Sequence, residues 1–141
     1  MKSRWDLTYE FLSNYRKLNK MARANLIVLL ETYVPFNEFM VLRILLDQRQ
    51  QNVSQIAEKL SVSSSHITAV NEKLIHKGYL SRVRAEDDRR MVFLTLTESG
   101  ERVAIAVEKT ITEYFHRKLE NVTDEEMIVF NRLLTKLLDE Q

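Results

Sequence analysis

The chain has no cysteine, one proline (Pro35) and two glycines (Gly78 and Gly100) among 141 residues. Without cysteine there is no disulfide, no thiolate nucleophile, no thiol redox sensor and no cysteine-ligated zinc. So little glycine and proline argues against an all-β architecture, which needs turn residues at each connection, and favours long helices. Two glycines also exclude most nucleotide-cradling loops, and there is neither a GxSxG elbow nor a plausible catalytic triad. No apolar run approaches the roughly 20 residues that cross a bilayer. The longest, LIVLL at residues 26–30, reads as a helix face. The opening MKSRWDLTYEF lacks the apolar core and small-residue cleavage site of a signal peptide. These absences predict a cytoplasmic protein that is not an enzyme and uses no cofactor.

Hydrophobic residues make up 45% and charged residues 29%, the balance of a globular chain. The net charge is only +1, but it is unevenly spread. Lys77, Arg82, Arg84, Arg89 and Arg90 crowd into fourteen residues, whereas residues 103–141 are net acidic by three. A local basic cluster on a near-neutral chain suits a polyanion, and a solvated charged hairpin is the plainer alternative. His66 and His76 lie ten residues apart and His116 is remote. No HxxxH spacing supports a metal site.

Helical periodicity dominates. Trp5, Tyr9, Leu12, Tyr15, Leu18, Ala22, Leu26 and Leu29 recur at spacings of three and four, predicting a helix from Trp5 to about Thr32. Its aromatic stripe needs a partner surface. Pro35 suits the first turn of a second helix, about Phe36 to Gln48, that buries Phe39, Leu42, Leu45 and Leu46. After RQQN come two short helices. The first is VSQIAEKL, residues 53–60, with Ile56, Ala57 and Leu60 inward and Ser54 as N-cap. A Ser61-Val62-Ser63 turn leads to the second, Ser64 to about Lys77, with Ile67, Val70, Leu74 and Ile75 inward. Gly78 stands where a left-handed C′ residue is wanted. The outer face of this helix, Ser64, Ser65, His66, Thr68, Asn71 and Lys73, carries no large apolar side chain. It offers donors and acceptors to base edges and phosphates. Ser63 and Ser64 sit at its N-terminus, where free N–H groups favour a phosphate.

Two strand-like stretches follow, Leu80–Ala85 and Met91–Leu96, flanking EDDRR. Helix-turn-helix followed by a ribbon is a winged helix. Arginines on the tip of such a ribbon can reach a narrow minor groove, whose negative potential attracts them. Asp87 and Asp88 would repel phosphate, unless one of them aims an arginine through a charge-assisted pair. Thr97 is the predicted N-cap of a helix from Glu98 to about Leu119, with Val103, Val107, Ile111, Tyr114 and Phe115 on its face. Thr123 and Glu126 form a capping-box pattern before a last helix rich in leucine. The apolar excess of the first and last helices predicts a shared subunit interface.

With these residues assembled, the chain resembles the MarR family of bacterial winged-helix transcription regulators over nearly its whole length. The specific part is VSQIAEKLSVSSSHITAVNEKLIHKGYLSR and then DDRRMVFLTLTESG. It holds the family's DxR element (Asp88 and Arg90), its LT (Leu96-Thr97) and its TxxG (Thr97 to Gly100). The resemblance implies a mostly α fold with a small β wing: a winged helix-turn-helix plus long N- and C-terminal dimerisation helices. It divides the chain into a dimerisation helix (1–34), a DNA-binding region (35–97) and C-terminal dimerisation helices (98–141). It makes Arg90 the minor-groove arginine and Asp88 its orienting partner, with Ser65, His66, Thr68 and Asn71 reading bases. Ala69 and His66 depart from the family's usual arginine and threonine. That shifts phosphate anchoring to Lys73, Lys77 and the wing, where Arg84 and Arg89 join Arg90.

The implied partner is double-stranded DNA, bound by a homodimer at a pseudo-palindrome with half-sites about 10 bp apart. Repression is the implied outcome, and a small aromatic or anionic effector the implied ligand. Tyr15, Phe36, Phe39, Met40 and Arg43 are the residues placed to line an effector cleft. Core packing is the simpler role for the aromatics, and Arg43 has the alternative of pairing with Asp47 one turn later. The rival is a winged helix used for protein contact, or a dimeric adaptor without sequence-specific DNA binding. The polar Ser-Ser-His-Thr-Asn face and the arginine tip weigh against that rival.

Overall fold

The computed structural model describes residues 1–139. Among them are six helices and one two-stranded antiparallel sheet: α1 (Arg4–Leu30), α2 (Phe36–Asp47), α3 (Val53–Leu60), α4 (Ser64–His76), β1 (Leu80–Arg84), β2 (Val92–Leu96), α5 (Glu98–Lys118) and α6 (Asp124–Leu138). The chain divides into a compact unit, Met1–Thr110, and a second unit that begins at Ile111. No helix among the described residues is long and apolar enough to cross a membrane.

In the first unit, Leu30, Val34, Val41, Leu42, Leu45, Ile56, Ile67, Leu74 and Val107 are fully buried. Each large aliphatic side chain removed from water contributes about 1.5–3 kcal/mol before the entropy of ordering it is counted. Of the stripe along α1, only Ala22, Leu26 and Leu30 are buried. Leu29, expected inward, is 38% exposed, and Leu30 takes its place. The expected stripe steps by three from Leu26, whereas the buried residues step by four throughout, which keeps them on one narrow line.

Three local expectations shift. Leu46 is only half-buried, and Val41 joins the core of α2 instead. The N-cap of α3 is Asn52, not Ser54, closing a capping box in which Asn52 accepts from the Gln55 N–H at 2.8 Å and Gln55 accepts from the Asn52 N–H at 2.9 Å. An amide pair satisfies both orphan donors, which Ser54 inside the helix cannot do. Finally, RQQN is not a bare link. Gln51 bridges to Leu94 through both backbone groups (2.8 and 3.3 Å), adding one residue of pairing to the outer side of β2.

The predicted capping box of Thr123 and Glu126 forms at α6, and a second box, of Ser3 with Asp6, caps α1. Its hydrogen bonds from the Ser3 hydroxyl and N–H hold the Asp6 carboxyl below its ordinary pKa. α4 ends with Gly78 at φ +81°, the Gly78 N–H donating to the Ile75 carbonyl and the Tyr79 N–H to the Leu74 carbonyl, both at 2.9 Å. Those two bonds make the Schellman ending that favours glycine at this position.

In the second unit, α6 buries none of its residues. Ile128, Phe130, Leu133, Leu137 and Leu138 are all exposed. On the same unit, the Tyr114 and Phe115 rings meet edge-to-face with centroids 5.2 Å apart.

Candidate nucleic-acid interface

The turn between α3 and α4 is tight because Ser61 adopts a left-handed conformation, φ 55° and ψ 44°, letting the Val62 N–H reach back to the Ala57 carbonyl at 3.0 Å. Ala57 is buried, and its small side chain suits a close crossing of the two helices. Ser63 then caps α4, accepting from the His66 N–H at 3.2 Å. The Ser65 hydroxyl lies 3.2 Å from that of Ser63. Ser64, Ser65, His66 and Thr68 are exposed on the first turns of α4, with Lys73 exposed further along. The Thr68 hydroxyl donates to the Ser64 carbonyl at 3.0 Å. Its donor is thus engaged, leaving an acceptor and a methyl group to face outward.

Asn71 does not belong to this surface. It is 3% exposed, and among the described residues neither its amide nitrogen nor its oxygen has a hydrogen-bond partner. Helical spacing explains the correction: Asn71 follows Ile67 by four residues and precedes Leu74 by three, so it continues the buried row. A buried polar group without partners costs about 1–3 kcal/mol. Asn71→Leu is therefore expected to raise stability by about 1 kcal/mol while leaving base preference untouched. Thermal unfolding and site selection with the variant check this. A destabilised variant would mean that the amide holds partners that leucine cannot replace.

The wing is in register Leu80↔Leu96, Ser81↔Thr95, Arg82↔Leu94, Val83↔Phe93 and Arg84↔Val92. Leu80 and Arg82 share a face, as alternation dictates. Leu80 is buried, and Arg82 forms an ion pair with Glu72 of α4. The tip is closed by backbone bonds, Ala85 N–H to Met91 carbonyl and Met91 N–H to Asp88 carbonyl, both at 3.0 Å. Asp88 does not grip an arginine side chain. Its Oδ1 accepts the Arg90 backbone N–H at 3.0 Å. A short carboxylate two residues upstream reaches the main chain more readily than a guanidinium. Asp88 thus orients Arg90 by fixing its backbone. Arg84 donates to the Arg89 carbonyl at 3.1 Å, bracing the tip from the other strand. Among the described residues, neither Arg89 nor Arg90 has an ion-pair partner.

The expected cleft residues differ in their exposure and partners. Phe39 is buried in the core, and Phe36 lies under the Arg23 guanidinium at 5.7 Å. Arg43 takes the alternative partner, Asp47, at 2.7 Å, and also meets Glu108 of α5 at 3.2 Å. The Asp47 hydrogen bond, aided by the Glu108 charge, raises the guanidinium's pKa further. Tyr15 is exposed and stacks with Phe11, ring centroids 6.2 Å apart, and Met40 is half-buried. No group of three or more His, Asp or Glu among the described residues is arranged to hold a metal ion.

Three close contacts are not legible in the sequence. Lys77 pairs with Glu38, thirty-nine positions away, at 2.7 Å. Lys59 donates to the side-chain amide oxygens of Gln48 and of buried Gln51, the latter at 3.1 Å, tying α3 to the Gln51 bridge. No periodic signal marks such pairs, because each joins separate elements.

Helix-turn-helix, exposed polar second helix and arginine-tipped ribbon together define a winged-helix nucleic-acid-binding protein. The MarR family model matches residues 35–92. Uncharacterized HTH-type transcriptional regulator YpoP of Bacillus subtilis (strain 168) is 36% identical over 137 residues, covering 97% of both chains. HTH-type transcriptional regulator MhqR of the same strain is 40% identical over 63 residues, 45% of this chain and 43% of that one. The structure of a MarR family protein from Bacillus stearothermophilus superposes with a TM-score of 0.88 at 26% identity, covering 96% of each chain. Streptococcus pneumoniae FabT in complex with DNA shares the fold, with a TM-score of 0.75 at 24% identity over 92% of this chain and 94% of that one. The chain belongs to the MarR family, a family of DNA-binding transcriptional regulators.

Proposed function

We propose that the chain is a repressor that binds a pseudo-palindromic duplex operator as a homodimer. One observation carries the DNA-reading part. The exposed Ser64, Ser65, His66 and Thr68 face and the exposed Arg89 and Arg90 belong to one winged helix, joined through Gly78. On this reading α4 enters the major groove, where the Thr68 methyl suits a thymine methyl and His66 a base-edge acceptor. Ser63 and Ser64 meet a phosphate at the helix N-terminus, Lys73 follows the backbone, and Arg90 enters the adjacent minor groove, with Arg84 and Asp88 bracing the tip. That Streptococcus pneumoniae FabT, which shares the fold, was solved in complex with DNA supports DNA as the partner.

The dimeric part is supported by apolar rows left bare on two helices: Trp5, Tyr9, Leu12 and Tyr15 on α1, and the leucines of α6. Contiguous exposed apolar surface of this kind marks an association site. A dimer seated over a promoter blocks polymerase, hence repression. Release by a small aromatic or anionic effector completes the reading, with exposed Tyr15 and half-buried Phe36 and Met40 as the accessible contacts. Displacement of the operator complex by an aromatic acid tests that part.

Selection of bound sites from a random duplex library at physiological salt tests the whole. An enriched inverted repeat with an A·T-rich flank is the expected result. Only salt-sensitive, sequence-independent binding would favour the protein-contact alternative. With the selected duplex, Arg90→Ala is expected to weaken binding by about 1–3 kcal/mol. An unchanged affinity at fixed salt would remove Arg90 from the interface.

A further inference from the structure

We propose that Lys77 positions the DNA-reading elements through Glu38 and does not act as a phosphate anchor. The proposal rests on the DNA-binding reading above and assigns one of its residues a different task. Lys77 is the C-cap of α4, and Glu38 lies in the first turn of α2. The Glu38 side chain is only 3% exposed, and the Lys77 ammonium 2.7 Å away is its only ion-pair partner among the described residues.

Each charge sits where its helix favours it, an acid at the positive N-terminal end of α2 and a base at the negative C-terminal end of α4. A carboxylate this buried depends on its counter-ion. If the ammonium is removed, the charge is left uncompensated and must move toward water. Movement there is not local. Immediately beyond Lys77 the chain turns at Gly78 into β1, and the Gly78 carbonyl accepts the Thr97 hydroxyl at 2.6 Å. The Tyr79 carbonyl accepts the Thr97 N–H at 3.0 Å. The pair therefore fixes, against α2, the junction from which both the reading helix and the wing leave. An ammonium held by a buried carboxylate is also poorly placed to neutralise a phosphate.

The test uses full-length protein and the duplex selected above, titrated by fluorescence anisotropy across a salt series. It compares wild type, Lys77→Met, Glu38→Gln and the double variant, at a temperature where circular dichroism shows each folded. Lys77→Met is expected to raise Kd about tenfold, equivalent to about 1.4 kcal/mol. The slope of log Kd against log salt should stay at the wild-type value. Glu38→Gln breaks the same tie without stranding a buried charge and should raise Kd by less than Lys77→Met, and the double variant should recover to the Glu38→Gln level.

A slope reduced by about 0.9 per contact, with no recovery in the double variant, would make Lys77 a phosphate ligand and overturn the proposal. So would an unaltered Kd for Lys77→Met. If that single variant does not fold, the double variant still decides: a wild-type slope supports positioning and a reduced slope refutes it. Wild-type protein that prefers no sequence would instead overturn the DNA reading itself, a result distinct from all of these.

Discussion

Replacing Gly100 with alanine is expected to destabilise the protein by about 3 kcal/mol or more, lowering Tm by roughly 10 °C at fixed protein concentration. The cause is backbone proximity, not backbone conformation. An added Cβ would lie 2.0 Å from the Tyr79 carbonyl oxygen and 2.9 Å from its carbon. Neither is the loose end of a side chain. The contact is close because the start of α5 is stitched to the α4–wing junction. The Thr97 hydroxyl donates to the Gly78 carbonyl and accepts the Gly100 N–H at 3.0 Å. Accommodating a methyl group means breaking those bonds or lifting α5 away from Tyr79. Gly78→Ala provides the internal comparison. Nothing lies within 4 Å of a Cβ there, so only the left-handed φ of +81° penalises it, by about 1–2 kcal/mol. Thermal unfolding of both variants separates the two causes. Equal losses would show that the α5 start yields easily and that the close approach is not a constraint.

Truncation after Glu120, which removes α6, is expected to halve the particle mass and to weaken operator binding by roughly 10³-fold. That figure assumes a half-site Kd near 1 μM and an effective concentration near 1 mM for the second half-site once the first is bound. α6 itself buries none of its residues, and Leu42, Leu45 and Ile67 belong to the first unit, Met1–Thr110. The truncated chain should stay folded by circular dichroism. Sedimentation and a titration on the selected inverted repeat provide the readouts. A truncated protein that keeps the full-length mass would place the subunit interface elsewhere, and one that keeps the affinity would remove dimerisation from recognition.

Where a signal is local, the sequence carries it. Helices α1 to α5 are legible within a residue or two, and the start of α6 by its Thr123–Glu126 box, because apolar spacing and caps such as Gly78 act within a single turn. The ribbon was legible for the same reason, and the motif from Asp88 to Gly100 pointed to the family. Misreadings arose where two adjacent choices are locally equivalent. Ser54 and Asn52 both cap well, and only the partner residue at Gln55 separates them. Asn71 is polar by type, which favours the outer face, although its spacing from Ile67 and Leu74 puts it inward. For Asp88 an arginine side chain and the Arg90 main-chain N–H are both candidate donors, and the structure uses the main chain.

By itself, then, the sequence determined the class of protein and the order of its elements, since periodicity, caps and turn residues are read over distances of a few residues. It also supplied the exposed reading face and the arginine tip. Only the tertiary structure decided which of those residues are exposed and which are engaged. It withdrew Asn71 into the core, engaged Lys77 with Glu38 and Arg82 with Glu72, and left Arg89 and Arg90 without ion-pair partners among the described residues. It alone explained Gly100, by bringing Tyr79 against it. The physical reason is common to all of these. A contact between elements depends on where two helices cross and how far a strand runs before it turns, and no short stretch of sequence encodes that distance.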